Sequence, residues 1–388
     1  MRRLKLRRKA ANRIEGGHVW AYRGETEEDL TVDQLESALV CDDRGRLLGS
    51  ALIDARSPVP VRLYSRKQEE FDENLIASRL KQALQWRRQV VAPDSTGYRL
   101  VFIESDALPG LIVDRFGRAL AIQATMRNYS TFIPAITQRI AEEFGPECLI
   151  DCAVCEQGGE RSSILGSFET SRATYLMNGL QFEADLVGGP KTGAFLDQRE
   201  NYSALSRWIE KAGVRGRGLD LYSSMGGFAL HLARSMEQVD AVDSAEAAVR
   251  SIANNAARNG IENIRPIEAD VKQFLRGLGQ ARKRYECVVA DPPAFAKSAA
   301  QKAEAARAYY DLNLRALGAT ASKGLFVTCS CSRAISEAEL LEIVRQSAAE
   351  SRRTLTILER RGQSLDHREV AHIPETSYLK CLIFRLDQ

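Results

Sequence analysis

Four aspartates and one cysteine pair have placements that suit chemistry. Asp220, Asp243, Asp270 and Asp291 each follow a short apolar run, and Cys329-Ser330-Cys331 follows a fifth. In an open parallel sheet the carboxyl ends of the strands line the ligand crevice, so a carboxylate there meets the hydroxyl or amino donors of a ligand. A cysteine in the same position is a nucleophile of modest pKa. Between Asp220 and the next acid lies Tyr222-Ser223-Ser224-Met225-Gly226-Gly227, a loop with little side-chain bulk apart from the tyrosine and the methionine. Ala229, Leu232, Ala233 and Met236 follow at helical spacing. Strand, tight loop and helix in that order let a nucleotide-like ligand approach the backbone.

The acids narrow the ligand. Asp243 stands about 20 residues beyond the loop, where an acid suits ribose hydroxyls. That serves a nicotinamide dinucleotide or S-adenosylmethionine (SAM). The loop lacks the Gly-x-Gly-x-x-Gly that cradles a pyrophosphate, since Tyr222 and Ser224 stand where glycines would be needed, and SAM has no pyrophosphate. Asp270 is in turn suited to an adenine amino group. In Asp291-Pro292-Pro293-Ala294-Phe295 the prolines fix the backbone, Asp291 suits a base edge, and Phe295 offers a ring for stacking. Carbon 5 of a pyrimidine is a poor nucleophile until a thiolate adds at carbon 6, which is the task Cys329 suits. Cys331 is the alternative nucleophile. The isolated reading of either cysteine is a structural thiol, and that of each acid a solvated loop.

The elements that must position these residues are legible in part. From Gly188 onward strands and helices alternate, which predicts a parallel sheet covered on both faces. A helix over Asn201–Ala212 precedes strands ending near Asp220, Asp243, Asp270 and Asp291 and a fifth over Leu325–Thr328. Ser336-x-x-Glu339 predicts a capping box, and Leu379–Leu386 a late strand. Residues 1–72 read as a small β module and 73–187 as a mixed α/β segment. Arg2, Arg3, Lys5, Arg7, Arg8, Lys9 and Arg13 precede the first acid, Glu15, as a solvated arm or a nucleic-acid contact. Trp20 and Tyr22 beside it serve that contact or the core. Arg87-Arg88 reads as solvated.

With 388 residues, 44% hydrophobic, 27% charged and a net charge of +3, the chain has the composition of a soluble multidomain protein and no bulk polycation. No apolar run reaches the ~18 residues of a membrane span. The expected location is cytoplasmic, and the eight cysteines are expected as free thiols. Cys148, Cys152 and Cys155 have the spacing of an iron–sulfur ligand set, but they lie in an alternating, strand-like run where thiols behave as small hydrophobes.

With these motifs assembled, the chain resembles the bacterial large-subunit ribosomal RNA cytosine-C5 methyltransferases that carry an N-terminal PUA domain. The likeness spans nearly the whole chain. It rests on Gly17-His18-Val19-Trp20-Ala21-Tyr22, on Glu104-Ser105-Asp106 through Asp114-Arg115-Phe116-Gly117, and on Lys191 through Asn201. It also rests on the glycine loop, on Asp291 through Ser298, on Thr328 through Ser332, and on Pro374 through Cys381. The resemblance implies an α/β protein with three domains: a PUA β-barrel-like domain (1–72), a mixed α+β middle domain (73–187) and a class I, Rossmann-like methyltransferase domain (188–388). It implies SAM as cofactor, with Thr192, Phe195, Gln198 and Arg199 lining its pocket. Asp220, Ser223 and Gly226 would hold its methionine end, Asp243 its ribose and Asp270 its adenine. Asp291 would hold the target base and Cys329 would be the nucleophile. The implied partner is 23S ribosomal RNA or a large-subunit precursor, with no membrane, and a homodimer is an open alternative to a monomer. Two alternatives stay open: methylation of a ring or exocyclic nitrogen without a covalent step, and a non-catalytic RNA-binding factor.

Overall fold

The computed structural model describes residues 1–30, 36–126, 129–144, 151–156, 162–165, 172–189, 191–296 and 299–387. They form two units: 1–177 with 184–196 and 365–376, and 178–183 with 197–364 and 377–388.

The first unit holds two five-stranded sheets. One comprises β1 (Arg2–Lys5), β2 (Trp20–Ala21), β3 (Glu36–Cys41), β4 (Leu47–Ile53) and β5 (Val61–Ser65), in the order β1-β3-β4-β5-β2. The basic N-terminal stretch is not a free arm. In β1 Leu4 points inward while Arg3 and Lys5 point out, the alternation a half-buried strand requires. Helix α1 (Arg8–Glu15) buries Ala10, Ala11 and Ile14 and leaves Arg8 and Lys9 exposed. Trp20 belongs to the core, at 8% exposure.

The second sheet comprises β6 (Gly97–Phe102), β7 (Leu111–Phe116), β8 (Ala119–Ala124), β9 (Asp151–Glu156) and β10 (Ser162–Leu165), in the order β10-β9-β8-β7-β6. Helices α2 (Glu73–Val90) and α3 (Ile133–Phe144) pack Ile76, Leu80, Leu84, Ile136 and Ile140 onto Leu100, Val113 and Ile122. Cys152 and Cys155 fall on β9, and Cys148 lies outside the described residues. Among the described residues no group of three or more His, Cys, Asp or Glu side chains is placed to hold a metal ion.

Arg87 is not solvated. It is 1% exposed, pairs with Asp106 at 2.6 Å and donates to the carbonyl oxygens of Arg99 (2.9 Å) and Asp366 (2.6 Å). Arg99 forms a two-pronged pair with Asp114, both contacts 2.8 Å. The Glu104–Asp106 and Asp114 motifs thus build a buried ion-pair network, in which each charge is matched and hydrogen-bonded. Arg88 is exposed and pairs with Glu143 at 3.0 Å.

The chain passes β11 (Arg172–Met177), enters the second unit at Asn178, returns to the first within β12 (Leu180–Asp185) and enters the second again at Asp197. There α4 (Arg199–Ala212) precedes a seven-stranded sheet. Its strands are β13 (Arg217–Leu221), β14 (Gln238–Asp243), β15 (Ile264–Glu268), β16 (Tyr285–Ala290), β17 (Thr320–Ser330), β18 (Leu355–Arg361) and β19 (Lys380–Leu386). The intervening helices are α5 (Gly227–Ala233), α6 (Glu246–Arg258), α7 (Val271–Ala281), α8 (Lys302–Ala319) and α9 (Glu337–Glu350). The order β15-β14-β13-β16-β17-β19-β18 is parallel except at β19, which runs antiparallel to β17 and β18. Strand order reverses between β13 and β16, so the ligand crevice of such a sheet lies beyond their carboxyl ends. Ser336 caps α9 with the expected box. Strand β18 carries no strong sequence signal: its exposed positions include Thr356, Ile357 and Arg360, as suits an edge.

Candidate active site

The turn after β13 has glycine-like backbone without glycine. Tyr222 (φ +62°), Ser224 (φ +52°) and Gly226 (φ +87°) are all left-handed. For the two non-glycine residues this costs about 1–2 kcal/mol each. Hydrogen bonds hold the turn in place. The Ser223 amide donates to the Val242 carbonyl (3.1 Å) and the Ser224 amide to Asp243 Oδ2 (2.9 Å). A Cβ at Gly226 would stand 2.6 Å from Leu230 Cδ1, and one at Gly227 2.4 Å from the Tyr202 ring. The second clash is the harder to relieve, because that ring also packs edge-on against Phe228.

Asp220 is 1% exposed. Its Oδ2 accepts from Ser223 Oγ (2.5 Å) and the Ala229 amide (2.9 Å). Burial first, then the charges of Asp291 and Asp243, push its carboxyl up to about 7, against the two hydrogen bonds. Asp243 ends β14 and accepts from the Ser224 and Ala245 (3.0 Å) amides, one on each oxygen. Asp270 is exposed and caps α7, accepting from the Gln273 amide at 2.9 Å. Tyr222 lies near both acids: burial, then Asp270 and Asp243, raise its phenol to about 12. From the sequence it registered only as a missing glycine.

Gln198, buried at the start of α4, donates from Nε2 to Asp291 Oδ2 at 2.9 Å. Asp291 directly follows β16. Cys329 is not beyond its strand. Strand β17 continues to Ser330, so Cys329 is a fully buried strand residue directly opposite Cys381 of β19. Burial, then Cys381 and Asp291, push its thiol up, while the nearby Gln198 amide works the other way. Cys331 stands past the strand end and is half-buried. Beside it Lys380 donates from Nζ to the Ser332 (2.7 Å) and Tyr378 (2.9 Å) carbonyls. Burial lowers its ammonium to about 8, and the Cys331 charge opposes that shift. In the sequence Lys380 stands out only as part of the motif from Pro374 through Cys381, with no role attached.

Ser332 joins the two loops: its hydroxyl accepts from the Ala296 amide at 3.3 Å and lies 3.2 Å from the Tyr309 hydroxyl. Phe295, expected to stack on a base, is half-buried with its ring 4.8 Å from that of Tyr309. Arg199 is buried at the first position of α4, 3.5 Å from Glu200. Gln198, Arg199, Asp220, Ser223, Gly226, Asp243, Asp270, Asp291 and Cys329 all belong to the second unit. Thr192 and Phe195 belong to the first, where the Thr192 hydroxyl donates to Asp114 Oδ2 (2.5 Å) and Lys191 Nζ lies 4.6 Å from the Phe195 ring centre.

A sheet of this order, with a tight loop after its first strand and acids at successive strand ends, defines a class I methyltransferase. Residues 165–385 match the family described as S-adenosylmethionine-dependent methyltransferase, and residues 4–66 match a PUA-like domain. The chain belongs to that SAM-dependent methyltransferase family, and SAM is its cofactor. It is 32% identical over 357 residues to the ribosomal RNA large subunit methyltransferase I of Photobacterium profundum, covering 89% of each chain. With the protein of the same name from Vibrio cholerae it shares 31% over 377 residues, 94% of each. A structure described as a methyltransferase complexed with S-adenosylhomocysteine (SAH) superposes with a TM-score of 0.86 at 17% identity, covering 99% of this chain and 100% of the other. One described as a SAM-dependent methyltransferase from Streptococcus mutans gives 0.84, also at 17%, with the same coverage. These two likenesses establish the fold. No helix among the described residues is long and apolar enough to cross a membrane.

Proposed function

We propose that the protein methylates carbon 5 of a cytosine in large-subunit (23S) ribosomal RNA through a covalent adduct of Cys329 at carbon 6. The observation that carries this reading is the Gln198 amide hydrogen-bonded to Asp291 directly after β16, with Cys329 buried near the carboxyl end of the adjacent parallel strand β17. Relatives named for large-subunit ribosomal RNA support the substrate class.

The cofactor site fits SAM on two counts. The turn after β13 follows a left-handed path, with Gly226 and Gly227 adding no side chain of their own. The buried Asp220 carboxyl, with no lysine or arginine partner among the described residues, is suited to the ammonium of the methionine end, with Ser223 beside it. Asp243 has lone pairs left for ribose hydroxyls, and Asp270 has one oxygen left for the adenine. Arg199 joins the cofactor residues by resemblance. When bound, SAM supplies an electrophilic methyl group.

The target cytosine unstacks, at a cost of a few kcal/mol. Asp291 accepts a hydrogen bond from its edge. Cys329 gives up its proton to solvent, the sulfur–C6 bond forms, and the C5=C6 π pair becomes available at carbon 5 for the methyl group, with SAH as the leaving group. A base removes the C5 proton, the ring double bond re-forms, and the C6–sulfur bond breaks to return the thiolate. Burial holds Cys329 protonated in the free chain, so thiolate formation belongs to the bound state.

In this reading residues 1–72 bind RNA, 73–187 form the middle domain and 188–388 carry out methyl transfer, in the cytoplasm. The exposed Arg3, Lys5, Arg8 and Lys9 contribute phosphate contacts that weaken with salt. The test is Cys329→Ala with RNA from a strain lacking the gene. Loss of methylation by about 10⁴-fold, together with a trapped adduct between the wild-type chain and 5-fluorocytidine RNA, is the expected result. An active Cys329→Ala variant would instead mean nitrogen methylation without a covalent step. RNA binding with no methyl transfer by the wild type would mean a non-catalytic factor.

A further inference from the structure

The resemblance assigns Gln198 to the cofactor pocket, but its contacts lead elsewhere. Its Oε1 accepts from Asn201 Nδ2 at 2.6 Å, and its Nε2 donates to Asp291 Oδ2 at 2.9 Å. Asn201 is itself held at both ends. Its Nδ2 also donates to the Gly362 carbonyl (3.0 Å), and its Oδ1 accepts from Arg361 Nε (2.8 Å). A guanidinium has no acceptor and a carbonyl no donor, so only one orientation of the Asn201 amide satisfies both neighbours. That orientation presents an N–H to Gln198 and fixes the second amide in turn: oxygen toward Asn201, nitrogen toward Asp291. The two hydrogens on Nε2 allow two acceptors: Asp291 takes one, and the amide's nearness to Cys329 opposes the rise of that thiol.

We propose that Gln198 is a catalytic residue of the methyl-transfer site, donating from one amide nitrogen to both Asp291 and the Cys329 sulfur, and that Asn201 is the positioning residue that keeps the amide turned. This rests on the reading of Cys329 as nucleophile. The chemistry suits an amide. It steadies a carboxylate and a developing thiolate without carrying charge, so neither is locked into an ion pair that the incoming base would have to break. A lysine or arginine here would close that pair. A glutamate would add a second carboxylate beside Asp291 and raise the thiol further.

The test uses the full chain and two independent readouts: SAH affinity by calorimetry, and the rate of adduct formation with 5-fluorocytidine RNA at saturating SAM across pH. Gln198→Ala is expected to keep SAH affinity within about threefold, slow adduct formation about 100-fold and move its rise to higher pH. Asn201→Asp cannot donate to Gln198 Oε1 and is expected to slow adduct formation about tenfold with SAH affinity kept. It stands in if Gln198→Ala does not fold. Weakened SAH binding with an unchanged adduct rate, in either variant, overturns the proposal and returns Gln198 to the cofactor pocket. A wild-type chain that methylates RNA but forms no adduct overturns the nucleophile reading beneath it, a result recognisable without any variant.

Discussion

Asp114 of the first unit and Asp220 of the second are both almost fully buried, yet their surroundings are opposite in kind. Asp114 meets the Arg99 guanidinium through two contacts of 2.8 Å and takes a third hydrogen bond from Thr192. Among the described residues Asp220 has only neutral donors, Ser223 and the Ala229 amide, and two other carboxylates raise its pKa. A buried charge that finds its countercharge within the chain builds structure. One held by neutral donors near other acids is a place where a ligand can bring the countercharge. The same contrast separates Arg87–Asp106 from the Gln198–Asp291–Cys329 group.

The sharpest way to break the comparison is Arg99→Ala. It strands Asp114 without a charge partner and should destabilise the first unit by about 3–5 kcal/mol. Urea unfolding of the full chain, followed by Trp20 and Trp86 emission, measures this. A loss below about 1 kcal/mol would mean the pair is structurally idle.

Asp220→Asn should do the reverse, sparing stability while costing about 2–3 kcal/mol of SAH affinity, the worth of hydrogen bonds to a charged group. Calorimetric titration decides. Full SAH affinity in the variant would remove Asp220 from the methionine end.

The next effect is a pH dependence. The Asp220 carboxyl titrates near 7 in the folded chain and near 3.8 when unfolded. Between those values the unfolded chain is ionised while the folded one keeps its proton. This group therefore lowers stability as pH rises through that window, by at most about 1.4 kcal/mol per unit, and adds nothing further above it. A ligand ammonium reverses the preference. SAH binding should release a proton and tighten as pH rises toward 7, by at most about tenfold per unit, then level off. Titration in buffers of different ionisation enthalpy counts the proton, and its absence would break the link to Asp220.

Smallest is Ser224→Gly. Relief of the left-handed backbone at this residue should stabilise the second unit by about 1 kcal/mol. The change is read as a higher unfolding midpoint, and an unchanged or lower midpoint would mean that the turn carries no strain there.

Much of the second unit was legible from the chain because its signals are local. Alternating apolar runs gave β13 to β17, Ser336 and Glu339 gave the start of α9, and the acids fell at strand ends because that is where apolar runs stop. The first unit was less legible. The basic stretch reads as an arm because β1 and α1 are short and their apolar residues are few. Arg87 reads as solvated because nothing beside it in sequence announces Asp106 or Asp366.

The sequence by itself determined the parallel sheet, the loop after its first strand, the absence of a pyrophosphate fingerprint and the set of candidate groups. Periodicity and residue type are read over a few neighbours, and they decide those features. Only the tertiary structure decided the partners: Cys329 opposite Cys381, Lys380 on the Ser332 carbonyl, Thr192 on Asp114, and Gln198 turned by Asn201 toward Asp291. These groups are far apart in sequence, and no local backbone preference selects among them. Burial does, because a polar group taken out of water must find a partner wherever packing brings one within reach.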